Sequence, residues 1–180
     1  MNLEEALQAL RQAFFAYRNG VVADMLRNSG DPHKFIMGCQ LTDLLQITSS
    51  IPPNAALAQA LWDDRSHREC RLAATMLYPA NEMAASVARL WAKDVQCIEE
   101  ADVLCHRLLR KIPNAEALWQ ELIASDQTLQ QYTGLRLLLN LLLHGRENDH
   151  NALRQTLNTT HIHPTPANSA LLRDIDEELG

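Results

Sequence analysis

Four carboxylates and one imidazole, Asp94, Glu99, Glu100, Asp102 and His106, crowd a short stretch in the middle of the 180-residue chain. On a helix Asp102 and His106, four apart, share a face, as do Glu99 and Asp102, three apart. Carboxylates held close together and shielded from water can act as a base or stabilise developing positive charge. The same spacing also suits an exposed acidic face with an ordinary i to i+4 histidine contact. His161 and His163, beside Pro164, bring two imidazoles together with no Cys, Asp or Glu at ligand spacing. Zinc normally takes three or four protein ligands, so no metal centre is expected, and no cofactor. Trp62, Trp91 and Trp119 could offer stacking faces to a base or a cation. Their even recurrence points instead to packing between repeated units. The chain has no Gly-rich phosphate loop, no Ser/His/Asp order and no Cys/His nucleophile motif.

The elements that must position these residues are helices. Leu3, Ala6, Leu7, Leu10, Phe14 and Tyr17 step by threes and fours, which predicts a helix over 3–18. Asn19-Gly20 is a turn signal; VVADMLRNSG then reads as a short helix, and another follows over 40–49 before Pro52-Pro53. Beyond this the chain repeats. ALAQALWDD, AASVARLWAKD and NAEALWQEL each bring an Ala-rich turn to a Leu-Trp pair, with tryptophans 29 and then 28 residues apart. Each such helix is followed by a second amphipathic segment, with breaks at Tyr78-Pro79, Ile112-Pro113 and Ser125-Asp126. The unit is a helical hairpin, and a hairpin buries its faces only by stacking on another. The expected fold is all-α: one domain over 1–180, a right-handed α-solenoid of nine or ten helices in stacked HEAT-like hairpins. Residues 157–168 are expected to be irregular, and 169–179 to form a capping helix.

Composition agrees with that fold and excludes others. Apolar residues make up 47% but aromatics only 5%, so the apolar side is chiefly Leu and Ala, which favour helices over strands. The four cysteines are scattered without a Cys-x-x-Cys pair, as expected of reduced core thiols rather than a disulfide framework. No apolar stretch approaches the ~20 residues a membrane span requires, and the start MNLEEALQALRQ is unlike a signal peptide, so a cytoplasmic location without membrane contact is expected. The net charge is -6, yet half of the sixteen basic residues lie between 65 and 111. Arg65, Arg68, Arg71, Arg107 and Arg110 are the candidate nucleic-acid contacts, because phosphate affinity comes mainly from Lys and Arg.

The hairpin Leu57-Ala58, Leu61-Trp62, then His67-Arg68-Glu69-Cys70-Arg71-Leu72-Ala73, resembles the signature of AlkD-type DNA alkylation repair proteins, as do NGVVADMLRNSG and FIMGCQLTDLLQI. The likeness spans about residues 10–143. It implies HEAT-like repeats that grip duplex DNA with a basic concave side and excise N3- or N7-alkylated purines. It also implies that Asp102 is the catalytic acid, with Ile98 standing where the family carries a Trp. In place of the family's Arg pair after an aromatic, the chain reads TLQQYTG, and no Trp follows Trp119. Two expectations result: a divergent member that binds nucleic acid with glycosylase activity slowed or lost, or a helical-repeat scaffold that holds a protein partner.

Overall fold

The computed structural model describes residues 2–180, and among them are eleven α-helices, two 3₁₀ turns and no strand. The chain divides into two compact units, Met1–Glu82 and Met83–Gly180.

The first unit holds α1 (Leu3–Ala16), α2 (Gly20–Asn28), α3 (Leu41–Ser49), α4 (Ala55–Asp63), α5 (Arg68–Leu77) and a 3₁₀ turn at Ala80–Glu82. Asn2 and Glu5 close a capping box on α1, and Asn19 and Asn54 accept the N–H of Val22 and Leu57 at the starts of α2 and α4. The apolar stripe of α1 buries Ala6, Leu10 and Phe14; the helix stops at Ala16, and the expected extension through Tyr17 leaves that ring exposed instead. Gly38, at φ +78°, lies so close to α2 that a Cβ there would sit 2.1 Å from the Asn19 carbonyl oxygen. Only glycine fits.

The second unit is three hairpins: α6 (Ala85–Asp94) with α7 (Ile98–Arg107), α8 (Ala115–Ile123) with α9 (Thr128–Leu143), and α10 (His150–Thr159) with α11 (Pro166–Leu179). A 3₁₀ turn, Leu109–Lys111, leads from α7 towards α8. First helices stack on first helices, with Arg89 and Lys93 of α6 both reaching Glu121 of α8. Second helices stack likewise: α9 packs against both α7 and α11, and Cys105 Sγ donates to the Thr133 carbonyl. Gly134 permits a close approach of α8 and α9, since a Cβ there would lie 2.9 Å from the Ile123 backbone nitrogen.

Trp62, Trp91 and Trp119 are each at most 2% exposed, which makes them packing residues. Their leucine neighbours are less regular. Leu61 and Leu118 are buried, but Leu90 is 67% exposed, because Ala88, Trp91 and Ala92 occupy the inward stripe of α6 and turn it outward. The irregular stretch near the C-terminal end is shorter than expected. Helix α10 runs to Thr159, and α11 starts at Pro166 because Thr165 caps it and proline is well placed in a first turn.

Candidate nucleic-acid interface

Helices α7 and α9 run parallel, so a residue of α7 meets partners on α9 about one hairpin later in the chain. Asp102 shows the register. Its Oδ1 accepts the Tyr132 hydroxyl at 2.8 Å and the Arg136 Nε at 2.7 Å, and Arg136 Nη2 donates back to Tyr132 Oη at 3.1 Å. The triangle is half-open to solvent at Asp102 and Arg136, while Tyr132 is buried. Burial, followed by the hydrogen bond to Asp102, pushes the Tyr132 hydroxyl up to about 12. Burial also works against the charge on Arg136, but the Tyr132 and Asp102 contacts outweigh it and hold the guanidinium above its ordinary value. Asp102 is therefore a carboxylate already neutralised by a guanidinium at contact distance. An ion pair of this kind presents little net negative potential to a cationic ligand.

One turn further on, α7 becomes basic. His106 and Arg107 close the helix, Arg110 and Lys111 lie in the following 3₁₀ turn, and the His144 ring stands 6.4 Å from that of His106. Burial and then the charges of Arg110 and Arg107 hold His106 below its ordinary value, a hydrogen bond with the Asn140 side chain offsetting only part of this. Lys111 is lowered by burial and by the same two arginines. No carboxylate among the described residues pairs with Arg107, Arg110 or Lys111. Arg89, Lys93, Arg136 and Arg146 of the same unit, by contrast, are all paired. Arg107 Nε is buried without a hydrogen-bond partner, and so is Asn140 Nδ2. Arg110 Nε donates to the His106 carbonyl, so the unspent donor is that of Arg107; the cluster is a positive surface whose charges repel one another, which an incoming anion relieves.

The sequence-derived candidates separate on this frame. Arg107 and Arg110 come together with Lys111. Arg65 is exposed in the turn before α5. Arg68 and Arg71 are only 3% and 0% exposed. Arg68 donates to the Cys39 carbonyl and pairs with Glu69, while Arg71 donates to the Trp62 carbonyl at 2.7 Å with its guanidinium 3.5 Å over the Trp62 ring. Neither can reach a phosphate, so the expectation that they contact nucleic acid is corrected: they tie α5 into its own unit. The carboxylate cluster also disperses. Glu100 is buried and accepts the Gln96 N–H at the start of α7, and His106 turns to α9 rather than to Asp102. His161 and His163 meet edge to face at 5.2 Å in the segment before α11, which Gln131 pins by bonding both of their backbones. Tyr132, Arg136 and His144 join the site without any local motif that marks them. The signal lies in the period: adding about one repeat to Asp102 lands on Tyr132, and Tyr132, Arg136, Asn140 and the C-cap His144 recur every four residues along one stripe of α9.

No helix among the described residues is long and apolar enough to cross a membrane. A search of curated proteins by sequence finds no significant match. Among solved structures, the chain is similar to one described as "a new family of proteins related to the HEAT-like repeat DNA glycosylases with affinity for branched DNA structures". The superposition has a TM-score of 0.78 at 18% identity and covers 96% of this chain and 74% of that one, a likeness of fold. The family model described as DNA alkylation repair enzyme matches residues 10–165, most of the length of both units. With its all-helical stack of HEAT-like hairpins, the chain belongs to the DNA alkylation repair enzyme family.

Proposed function

We propose that this protein binds DNA through its phosphates at the end of α7 and the turn that follows it, without appreciable excision of alkylated bases. The observation that carries the reading is the group of Arg107, Arg110 and Lys111, cations with no carboxylate partner in a chain whose net charge is negative. Cations so close together raise the local positive potential, which attracts phosphates. The related fold, described as having affinity for branched DNA, supports DNA over other polyanions.

Loss of excision has a separate basis. Releasing a cationic purine requires a carboxylate able to stabilise positive charge in the transition state. Asp102 already spends its charge on Arg136 and one of its oxygens on Tyr132. Ile98, 45% exposed one turn earlier on α7, offers no π face to a cation. The test is a single-turnover release assay on duplex DNA containing 7-methylguanine, run with the wild type and Asp102→Asn. Release by the wild type should be very slow or absent, and whatever remains should be lost in the variant. Robust wild-type release would refute the reading, and equal release by both proteins would remove Asp102 from any catalytic role.

A further inference from the structure

We propose that the Met1–Glu82 unit carries a second site, a pocket for an unstacked nucleobase whose polar edge is read by Gln8, Gln12 and His67. The pocket is a cavity of about 370 Å³ beside α1. That is enough for a nucleoside-sized ligand. Its floor is apolar, formed by Phe14, Met37 and Cys70, with Phe14 and Cys70 at most 2% exposed. Phe15 also lines the cavity, 54% exposed, with the Arg18 guanidinium 4.0 Å over its ring, which leaves the opposite face for a flat ligand.

His67 is held in a fixed orientation there. Its Nδ1 lies 2.9 Å from Asp64 Oδ1 and 3.1 Å from Ser66 Oγ. Asp64 is in turn held by Arg11 at 2.7 Å. Although burial opposes it, the hydrogen bonds from His67, Arg11 and Ser66 bring Asp64 down to about 2, so it stays ionised and can only accept. With Nδ1 turned to that carboxylate, Nε2 is the ring nitrogen left for a ligand. Phe35, stacked on the ring at 4.5 Å and 21°, fixes the ring plane. No described residue hydrogen-bonds Nε2.

Gln8 and Gln12 are four apart on α1, both exposed, and both line the same cavity. Their amides make no hydrogen bond to any described residue, so each offers a donor and an acceptor. An apolar floor, an exposed aromatic ring and two amides beside an unpartnered imidazole Nε2 match a planar ring with N–H and C=O edges. Proteins read unstacked bases by this combination of stacking and edge hydrogen bonds. A phosphate fits poorly, because Glu69 lines the cavity and Arg11 is already committed to Asp64. An aliphatic chain would strand the three polar groups.

The experiment titrates the full chain with adenosine and with guanosine, using ribose 5-phosphate as the base-free probe, and follows the His67 ring nitrogens by NMR. Saturable binding of a nucleoside with a shift at Nε2, and none with ribose 5-phosphate, is the expected result. A Gln8→Ala/Gln12→Ala variant should bind about tenfold more weakly, with its melting temperature unchanged because both side chains are exposed. The proposal is overturned if neither nucleoside saturates, if ribose 5-phosphate binds equally well, or if the double variant binds like the wild type. None of these outcomes touches the phosphate-binding reading, which rests on Arg107, Arg110 and Lys111 in the other unit.

Discussion

Replacing Tyr132 by Phe removes one oxygen and leaves the ring in place. In the native protein that oxygen donates to Asp102 Oδ1 at 2.8 Å and accepts from Arg136 at 3.1 Å. The ring is 5% exposed and Phe has the same shape, so packing is preserved. Two hydrogen bonds to charged partners at a half-open site are worth about 1–2 kcal/mol together. For a chain of this size that corresponds to a fall in melting temperature of about 2–8 °C. The same hydroxyl also gives a signature in pH. Its folded value, near 12, lies above the ordinary 10. Between those values the unfolded chain has lost the proton and the native one retains it, so stability is complete below pH 10 and declines as pH rises towards 12. Denaturant titrations at a series of alkaline pH values, for the wild type and Tyr132→Phe, read both effects. The variant should start lower and decline less steeply over that window. An unchanged alkaline slope, or a variant as stable as the wild type at neutral pH, would show that Tyr132 does not clamp Asp102.

Gly134→Ala gains about 1 kcal/mol of helix propensity but drives a methyl group against the Ile123 backbone, which cannot yield as a side chain would. A net loss of stability is expected in thermal melts, and a more stable variant would contradict the packing of α8 on α9. Trp91→Ala and Trp119→Ala should each cost about 3–5 kcal/mol, whereas negligible losses would make these rings surface platforms. His106 is uncharged at neutral pH because burial and the neighbouring arginines hold it low. Its protonation adds a cation beside bound phosphate, so DNA affinity should rise as pH falls below the ordinary histidine range, and His106→Ala should flatten that rise. A wild-type affinity independent of pH would place His106 outside the interface.

Much of the fold can be read from the sequence, because local signals and tertiary packing agree. Asn2, Asn19 and Asn54 cap as their side chains allow, and the Leu-Trp repeat marks the hairpins. The site is less legible. Counting arginines between 65 and 111 treats them as surface, yet α5 is enclosed along nearly its whole length and takes Arg68 and Arg71 inward with it. Their setting among Cys70, Leu72, Ala73 and Ala74 is the local trace of that burial. Asp102 stands out as an acid of interest, but its partners lie 30 and 34 residues further on. They become visible only once α7 and α9 are known to be parallel neighbours. Leu90 fails for a similar reason: a repeat fixes which residue types recur, while the rotation of each helix depends on what it packs against.

The most direct measurement is the salt dependence of binding to duplex and four-way-junction DNA, comparing the wild type with an Arg107→Ala/Arg110→Ala/Lys111→Ala variant. Each phosphate contact contributes about -0.9 to the log-log slope of affinity against salt, so losing three should make the slope shallower by about 2.7. The expected result is a steep wild-type slope, a shallower one for the variant on both DNAs, and folded protein throughout. Equal slopes for the two proteins, or no wild-type binding at low salt, would contradict DNA binding at the end of α7.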